Sequence, residues 1–311
     1  MTTVVAPGTA PAPLLGEGPA PDRVARIESI AELASVLDTV RASGRTVGIV
    51  PTMGALHDGH RALIHRAATE CDVVAVSIFV NPKQFGDPVD LAGYPRTLGA
   101  DLALSASAGA WIVFAPSVDE MFPERADGGQ TTVSLSRIAD RWEGASRPGH
   151  FDGVATVVVK LLAMAGRCRA YFGEKDFQQL ALVRRVVADL SLPADIVGCE
   201  TVRDADGLAL SSRNARLSPG QRTAALALSR ALRAGAATIA AGETRTDEVE
   251  RVMADVVAAE PEVALDYAAL VRADDLERAT VVHSDVPLRL LVAATVGPVR
   301  LIDNLDPHRS L

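Results

Sequence analysis

The chain has 311 residues, of which 48% are hydrophobic, and a formal net charge of −8 at pH 7. This length and apolar content suit one large domain or two ordinary ones with a sizeable core. The acidic balance and the lack of a basic block argue against general nucleic-acid binding, and no apolar run reaches the roughly 18 residues expected of a membrane span.

The first 22 residues are rich in Pro, Ala and Gly and lack the basic start of a secretory signal. This composition predicts a disordered tail. The cysteines, Cys71, Cys168 and Cys199, lie far apart and form no CxxC pair, as expected of buried thiols in a reducing compartment. We therefore expect a cytoplasmic protein.

Strand-like and helical patterns alternate from residue 30 to residue 202. Ile30, Leu33, Leu37 and Val40 predict an amphipathic helix that ends at Gly44. The predicted elements after it are strand 47–50, a helix from Gly59, strands 73–80 and 111–115, helix 154–166, strand 169–173, helix 177–190 and strand 194–202. The alternation predicts an α/β fold, a Rossmann-like parallel sheet wound on both sides.

The pattern changes beyond about residue 203. Two Ala-rich helices, near 219–241 and 246–258, precede a strand at 263–271 and a hairpin within 287–304. We expect residues 23–202 to form a Rossmann-like ligand-binding domain and residues 203–311 a smaller C-terminal α+β lid domain. Ligands of such folds bind beyond the carboxyl ends of the parallel strands.

Four polar segments each follow a predicted strand. In the first, VGIVPTMGALHDGHRALI (47–64), His57 and His60 lie where a strand gives way to a helix. Unpaired backbone N–H groups and the helix dipole favour an anion there, and imidazoles at i and i+3 add side-chain donors. The arrangement suits a phosphate, and histidines that only cap and pack the helix are the alternative.

The second segment, FVNPKQFG (79–86), places Asn81 and Gln84 directly after a strand, although a plain loop has the same composition. The third, YFGEKDFQQL (171–180), has Lys175 near a helix start. The helix dipole disfavours a cation at that position unless an anion binds, and an ordinary surface lysine is the alternative.

The fourth segment, GLALSSRNARLS (207–218), presents Ser211, Ser212 and Arg213 in succession. Two hydroxyls and a bidentate guanidinium grip phosphate well, and an N-cap for a short helix is the alternative. Together the four segments suit a polyphosphate. Because GxxxxGK[ST] and a strand-linked GxGxxG are absent, nucleotide binding would use the His-x-Gly-His turn.

Seven blocks of the sequence resemble one enzyme family. They are PTMGALHDGH (51–60), VSIFVNPKQFG (76–86), YPRT (94–97), WEGASRPGHFDGVATVV (142–158), FGEKDFQQL (172–180), TVRDADGLALSSRN (201–214) and LIDN (301–304). On these blocks the chain is identified as a member of the pantothenate synthetase (pantoate–β-alanine ligase) family. This family belongs to the nucleotidyltransferases that share the His-x-Gly-His turn with class I aminoacyl-tRNA synthetases.

The resemblance implies an ATP-dependent condensation of (R)-pantoate with β-alanine through a pantoyl adenylate, giving pantothenate, AMP and pyrophosphate for coenzyme A biosynthesis. It also implies Mg²⁺ and a homodimer. The residues implied in catalysis and phosphate binding are His57, His60, Lys175, Ser211, Ser212 and Arg213. Those implied around the rest of ATP are Thr52, Met53, Phe172, Gly173, Asp176 and Val202. Those implied for pantoate or β-alanine are Met53, Asn81, Gln84, Tyr94, Arg147 and Gln179, and Asp101 is implied as the magnesium-associated acid.

The sequence departs from the family pattern at two positions. Asp58 stands where Glu is expected, and Ala100 precedes Asp101 where many relatives have a second acid. Three other functions fit the sequence less well. A metallohydrolase that uses His57, Asp58 and His60 has no third His or Cys nearby in sequence, and an adenylyltransferase acting on a mononucleotide would lack the Gln84 and Gln179 blocks. The intact Lys175 and Ser-Ser-Arg blocks argue against a nucleotide sensor without catalysis.

Overall fold

The computed structural model describes residues 3–5, 23–123, 131–282 and 286–309. The fold consists of two compact units. One comprises Met1–Gly173 with Leu182–Cys199, and the other comprises Glu174–Ala181 with Glu200–Leu311. Apart from Thr3–Val5, the predicted disordered tail lies outside the described residues.

A parallel sheet forms the centre of the N-terminal unit. Its strands are β1 (Thr3–Val5), β2 (Arg23–Ile27), β3 (Val47–Thr52), β4 (Val73–Ile78), β5 (Ile112–Phe114), β6 (Cys168–Gly173) and β7 (Ala194–Cys199). They are ordered β1-β2-β5-β4-β3-β6-β7, and every neighbouring pair is parallel. The predicted Rossmann-like α/β fold is confirmed.

Helices connect these strands. They are α1 (Ile30–Ala42), α2 (Asp58–Glu70), α3 (Pro88–Ala92), α4 (Leu98–Ser107), α5 (Val118–Met121), α6 (Glu143–Ser146), α7 (His150–Ala165) and α8 (Phe177–Asp189). Val50, Val74, Val76 and Val113 of the central strands are fully buried, as expected for a parallel sheet covered on both faces.

The strand order reverses at β3. After β3 the chain passes through α2 to β4 on one side, and it later returns to β6 on the other side. The crevice beyond the carboxyl ends of β3 and β6 is therefore the topological switch point, where open α/β sheets bind their ligands. The first and third polar segments directly follow these two strands.

The C-terminal unit has the predicted α+β architecture. It contains α9 (Pro219–Ala240), α10 (Thr246–Ala258), and the antiparallel strands β8 (Val263–Arg272), β9 (Leu288–Val296) and β10 (Val299–Leu305), ordered β10-β9-β8. Leu228, Leu232 and Met253 of its helices are fully buried against the sheet. The predicted hairpin is confirmed, since Val296 pairs with Val299 across the turn.

The structure differs from the predicted elements in several places. Among the described elements, the sequence patterns do not predict β1, β2, α3, α4, α5 or α6. β7 ends at Cys199, so Val202 lies beyond the strand. In α4 the sequence LGADLALSAS mixes Gly, Ala and Ser with few large apolar residues, which leaves a weak helical pattern. Among the described residues, no helix combines the length and apolar character needed to cross a bilayer.

Candidate active site

Thr52 ends β3 and fixes the start of the loop that follows. Its Oγ1 donates to the carbonyl of Ser77 on β4 over 2.6 Å and accepts from the N–H of Gly54 over 3.1 Å. The hydroxyl therefore joins the ends of two neighbouring strands and turns the backbone at the switch point. Met53 follows, half-buried, at the carboxyl end of the sheet.

The loop from Met53 to His57 adopts an unusual backbone conformation that Asp101 stabilises. Gly54 and Ala55 have φ values of 81° and 51°, in the left-handed region that favours glycine. The Asp101 carboxylate accepts from the N–H of Ala55 over 3.1 Å and from the N–H of Leu56 over 2.8 Å. Asp101 is only 2% exposed, and α4 positions it under the loop.

His57 and His60 cap the N-terminus of α2. His57 is the N-cap, and its Nδ1 accepts from the N–H of Gly59 over 3.2 Å. His60 is three residues further on, and its Nδ1 accepts from the N–H of His57 over 3.3 Å. The ring centroids are 4.2 Å apart.

This capping fixes the tautomer of both rings. A nitrogen that accepts a hydrogen bond has no proton, so each neutral ring keeps its proton on Nε2. The capping and phosphate-binding interpretations of the pair are therefore compatible, because Nδ1 serves the helix and Nε2–H is a donor on the other edge of the ring. The helix dipole favours an anion at the same end of α2.

A buried amide cluster follows β4. Asn81, 1% exposed, donates from Nδ2 to Gln84 Oε1 over 2.9 Å and to the Gly153 carbonyl over 3.0 Å. Gln84 Nε2 lies 2.9 Å from the Met53 sulfur. Three residues that the family resemblance assigns to substrate binding, Met53, Asn81 and Gln84, are thus brought together by direct contacts.

Arg147 joins this cluster through His150. His150 Nδ1 lies 2.8 Å from the Gln84 carbonyl, which can only accept, so Nδ1 has the proton. Arg147 Nη1 lies 3.0 Å from His150 Nε2, which then acts as the acceptor. His150 therefore connects two predicted substrate-binding residues. His150 also lies within the family block at 142–158.

Tyr94 and Phe172 occupy less direct positions in the N-terminal unit. The Tyr94 ring packs edge-on against Phe85, with centroids 5.7 Å apart. Phe172 is 4% exposed and Gly173 ends β6, at the carboxyl edge of the sheet. Their proposed contacts with ATP or substrate remain predictions.

Lys175 and Asp176 form a 3-10 turn with Glu174, which belongs to the C-terminal unit. Lys175 Nζ donates to Asp176 Oδ1 over 3.2 Å, and Asp176 is half exposed while Lys175 is largely buried. Gln179 follows one turn later on α8 and is half-buried. The lysine is thus held near a helix start by a local carboxylate.

Ser211, Ser212 and Arg213 begin a second 3-10 helix, Ser212–Arg216, in the C-terminal unit. Ser211 is its N-cap and accepts from the N–H of Arg213 over 3.3 Å. The hydroxyl proton of Ser211 takes no part in this bond and can serve a ligand. The segment before it is secured by Leu210, whose N–H donates to the Val202 carbonyl over 2.9 Å.

The described residues do not fit a metal site built by the protein. They contain no group of three or more His, Cys, Asp or Glu side chains arranged to hold a metal ion. Besides the two loop amides, Asp101 accepts from Thr97 Oγ1 over 3.2 Å. This geometry favours a structural role for Asp101 over magnesium binding, which stays a prediction. In the part of the chain that the structure describes, no third metal ligand joins His57 and His60, as a metallohydrolase would need.

Comparison with known proteins shows the family of the chain. The model of the pantoate–β-alanine ligase family matches residues 25–306. The chain belongs to this family. The match covers β3 to β7 of the parallel sheet, both histidines of the α2 cap and strands β8 to β10 of the C-terminal unit, which confirms the resemblance found in the seven sequence blocks.

Similar pantothenate synthetases span nearly the same length as this family member. The one from Deinococcus radiodurans is 53% identical over 274 residues, which is 86% of this chain and 96% of the relative. The one from Cereibacter sphaeroides is 51% identical over 279 residues, 90% of this chain and 98% of the relative.

Solved structures of the family have the same fold. Pantothenate synthetase from Thermus thermophilus is 45% identical, with a TM-score of 0.84 over 91% of this chain and 99% of that structure. Pantoate–β-alanine ligase from Francisella tularensis, solved in complex with β,γ-ATP and β-alanine, is 33% identical, with a TM-score of 0.74 over 92% of this chain and 99% of that structure.

Proposed function

We propose that the chain condenses (R)-pantoate with β-alanine at the expense of ATP, giving pantothenate, AMP and pyrophosphate. The observation that supports this best is the His57–His60 cap. Its two Nε2–H donors lie at a helix N-terminus, at the switch point of a parallel sheet, in a chain of the ligase family.

In the proposed first step a pantoate carboxylate oxygen attacks the α-phosphorus of ATP. The bond to the bridging oxygen breaks, and pyrophosphate leaves with pantoyl adenylate as the second product. Negative charge builds up on the phosphate oxygens, so fixed donors there lower the barrier. We assign this stabilisation to His57, His60 and Lys175, with Ser211, Ser212 and Arg213 on the β- and γ-phosphates.

In the proposed second step the β-alanine amine attacks the acyl carbon, loses a proton and displaces AMP. The buried amides of Asn81 and Gln84, with Met53, would orient the pantoyl group, together with Gln179. We place Tyr94 and Arg147 with the same substrates. Thr52, Phe172, Gly173, Asp176 and Val202 would surround the adenosine.

Magnesium, the homodimer and the cytoplasmic location belong to this proposal as well. Mg²⁺ usually keeps several waters and binds through substrate phosphates with few protein ligands. We propose that the ion arrives on ATP, and that the protein's contribution to adenylation comes from its own N–H and O–H donors. A mass measurement by light scattering at assay concentration distinguishes a dimer from a monomer.

The test is pantoate-dependent exchange of labelled pyrophosphate into ATP, with magnesium and without β-alanine. We expect exchange that requires pantoate, because adenylation is reversible and needs no amine. AMP formed only after β-alanine is added, with no exchange, would contradict a separable adenylate. A protein with neither exchange nor AMP formation would contradict the ligase function and favour a nucleotide sensor.

A further inference from the structure

Asn304, near the end of β10, binds the backbone of the turn that contains Lys175. Its Nδ2 donates to the carbonyl of Glu174 over 2.9 Å and to the carbonyl of Lys175 over 2.8 Å. Its Oδ1 accepts from Arg289 Nε over 2.7 Å. Because a guanidinium can only donate, Oδ1 must face Arg289, and the two amide protons must face the turn.

Arg289 holds the same turn through a side chain. Its Nη2 donates to Glu174 Oε2 over 3.0 Å, and its guanidinium lies 4.2 Å from the centre of the Phe177 ring. Burial lowers the pKa of Arg289, and the nearby Glu174 carboxylate offsets part of that shift. The residues on either side of Lys175 and Asp176 are thus fixed by one arginine.

These contacts are buried, so water cannot replace a bond that is lost. Asn304 is 3% exposed and the Arg289 side chain 8% exposed. A buried amide that loses an acceptor or meets a second acceptor has no water to replace the bond. The turn can therefore shift only by breaking several hydrogen bonds together. By contrast, the Lys175 ammonium contacts the exposed carboxylate of its neighbour Asp176.

We propose that Asn304, fixed by Arg289, is a positioning residue for adenylation that acts through Lys175. It touches no reacting atom in this proposal. It fixes the backbone from which the Lys175 side chain extends, so that the ammonium is already positioned for the phosphates. The inference rests on the proposed phosphate-binding role of Lys175.

The main variant is Asn304→Asp. In this variant one carboxylate oxygen takes the place of the Asn304 Nδ2 group and faces the carbonyls of Glu174 and Lys175. The other oxygen still accepts from Arg289. We expect the rate of pantoate-dependent pyrophosphate exchange at saturating pantoate to fall on the order of 10- to 100-fold. The KM for pantoate should change less than about threefold, since the inferred effect is confined to the phosphate donor.

A double-mutant cycle separates positioning from general destabilisation. In a Lys175→Ala background, Asn304→Asp should lower the remaining exchange rate by less than about threefold, because the group it positions is gone. A purely structural residue would lower the rate by the same factor in both backgrounds. Equal factors would overturn the inference.

The control and a readout independent of activity complete the experiment. Arg300→Gln changes the same strand but breaks an exposed pair with Asp266, so its exchange rate should stay within about twofold of wild type. Amide hydrogen exchange of residues 174–178 should be at least about tenfold faster in Asn304→Asp and unchanged in Arg300→Gln. Unchanged protection in Asn304→Asp would overturn the inference whatever the kinetics.

Misfolding of the variant and failure of the proposed function can each be distinguished from failure of this inference. If circular dichroism shows that Asn304→Asp does not fold, Asn304→Ser enters the same cycle, since it removes both amide donors without adding a charge. A wild-type protein that lacks pantoate-dependent exchange would overturn the proposed function and this inference together. Wild-type exchange with equal factors in the cycle would overturn this inference alone.

Discussion

His57 combines two roles on opposite edges of one ring. Nδ1 closes the first turn of α2, and Nε2–H is the donor proposed for phosphate. Asparagine is a good N-cap acceptor but has no donor at the position of Nε2. A substitution can therefore remove one role and keep the other.

We predict that His57→Asn lowers pantoate-dependent pyrophosphate exchange about 10²-fold while the free energy of unfolding stays within about 0.5 kcal/mol of wild type. His57→Ala should lose the exchange and also about 1 kcal/mol of stability, because the cap is gone. Exchange kinetics and urea unfolding measure the two effects. An Asn variant with near-wild-type exchange would show that His57 only caps the helix.

The sequence predicts this site in part. The spacing of His57 and His60 at a strand-to-helix junction is visible in the chain, and so is its suitability for an anion. The tautomers of the two rings cannot be read from the sequence, because they depend on which backbone N–H donates to each Nδ1. The same holds for His150, whose role depends on the Gln84 carbonyl, 66 residues away in sequence.

At the scale of elements, α7 approaches the loop after β4 through a glycine. A Cβ added to Gly153 would lie 2.2 Å from the Lys83 carbonyl oxygen and 2.7 Å from the Gln84 nitrogen. No side chain fits there unless the helix or the Pro82–Gln84 turn moves. The close approach also lets the Gly153 carbonyl accept from Asn81.

We predict that Gly153→Ala destabilises the protein by about 1–3 kcal/mol and raises the KM for pantoate, because the turn that positions Gln84 must shift. Thermal unfolding and initial rates measure the two effects. Gly99→Ala is the matched control, since it adds the same methyl to a helix where nothing lies within 4 Å. A Gly153→Ala protein that matches this control in both measurements would contradict the packing argument.

α4 supports the loop from Met53 to His57 through Asp101. Replacing this carboxylate by an amide turns one acceptor into a donor that faces a loop N–H. We predict that Asp101→Asn lowers stability by about 1–3 kcal/mol and slows adenylation, because the left-handed residues Gly54 and Ala55 lose their support. The magnesium concentration for half-maximal exchange should not change.

That magnesium dependence separates the two roles considered for Asp101. A residue that contacts the ion would, when replaced, raise the magnesium requirement. A loop support changes the rate at every magnesium concentration by the same factor. A several-fold higher magnesium requirement in Asp101→Asn would favour the role implied by the family resemblance.

At the scale of the whole molecule, stability at alkaline pH reports the packing of the central sheet. Cys168, at the start of β6, is 5% exposed, and burial raises the pKa of its thiol from 9.0 to about 12. Between these values the unfolded chain releases a proton that the folded chain keeps. The contribution of this thiol is therefore complete below pH 9 and is lost as the pH rises toward 12.

We predict that the free energy of unfolding falls with pH above about 9, with a contribution from Cys168 approaching 1.4 kcal/mol per pH unit. Urea unfolding from pH 7 to 11 in the presence of a reductant measures the slope. Cys168→Ala should have a shallower slope above pH 9, whatever constant offset its smaller side chain causes. Parallel curves for the two proteins would contradict a buried neutral thiol.

Most of the fold follows from periodicity in the sequence. The strands around Val50, Val76 and Val113 are apolar runs of strand length, and α9 and α10 have strong helical patterns. The sequence does not predict α4 because Ala, Gly and Ser occupy most of it, and its position depends on contacts with residues distant in sequence. Sequence distance also hides the contacts of Asn304 with Glu174 and Lys175, 130 and 129 residues earlier.

The division of α8 has a consequence for exchanging parts between relatives. Its first residues, with the turn before it, group with the C-terminal unit, although the strands before and after belong to the N-terminal one. A chimera joined only at residue 200 would combine the Glu174–Lys175 turn of one parent with the Asn304 and Arg289 of the other. A chimera that transfers the C-terminal unit intact must therefore also transfer residues 174–181.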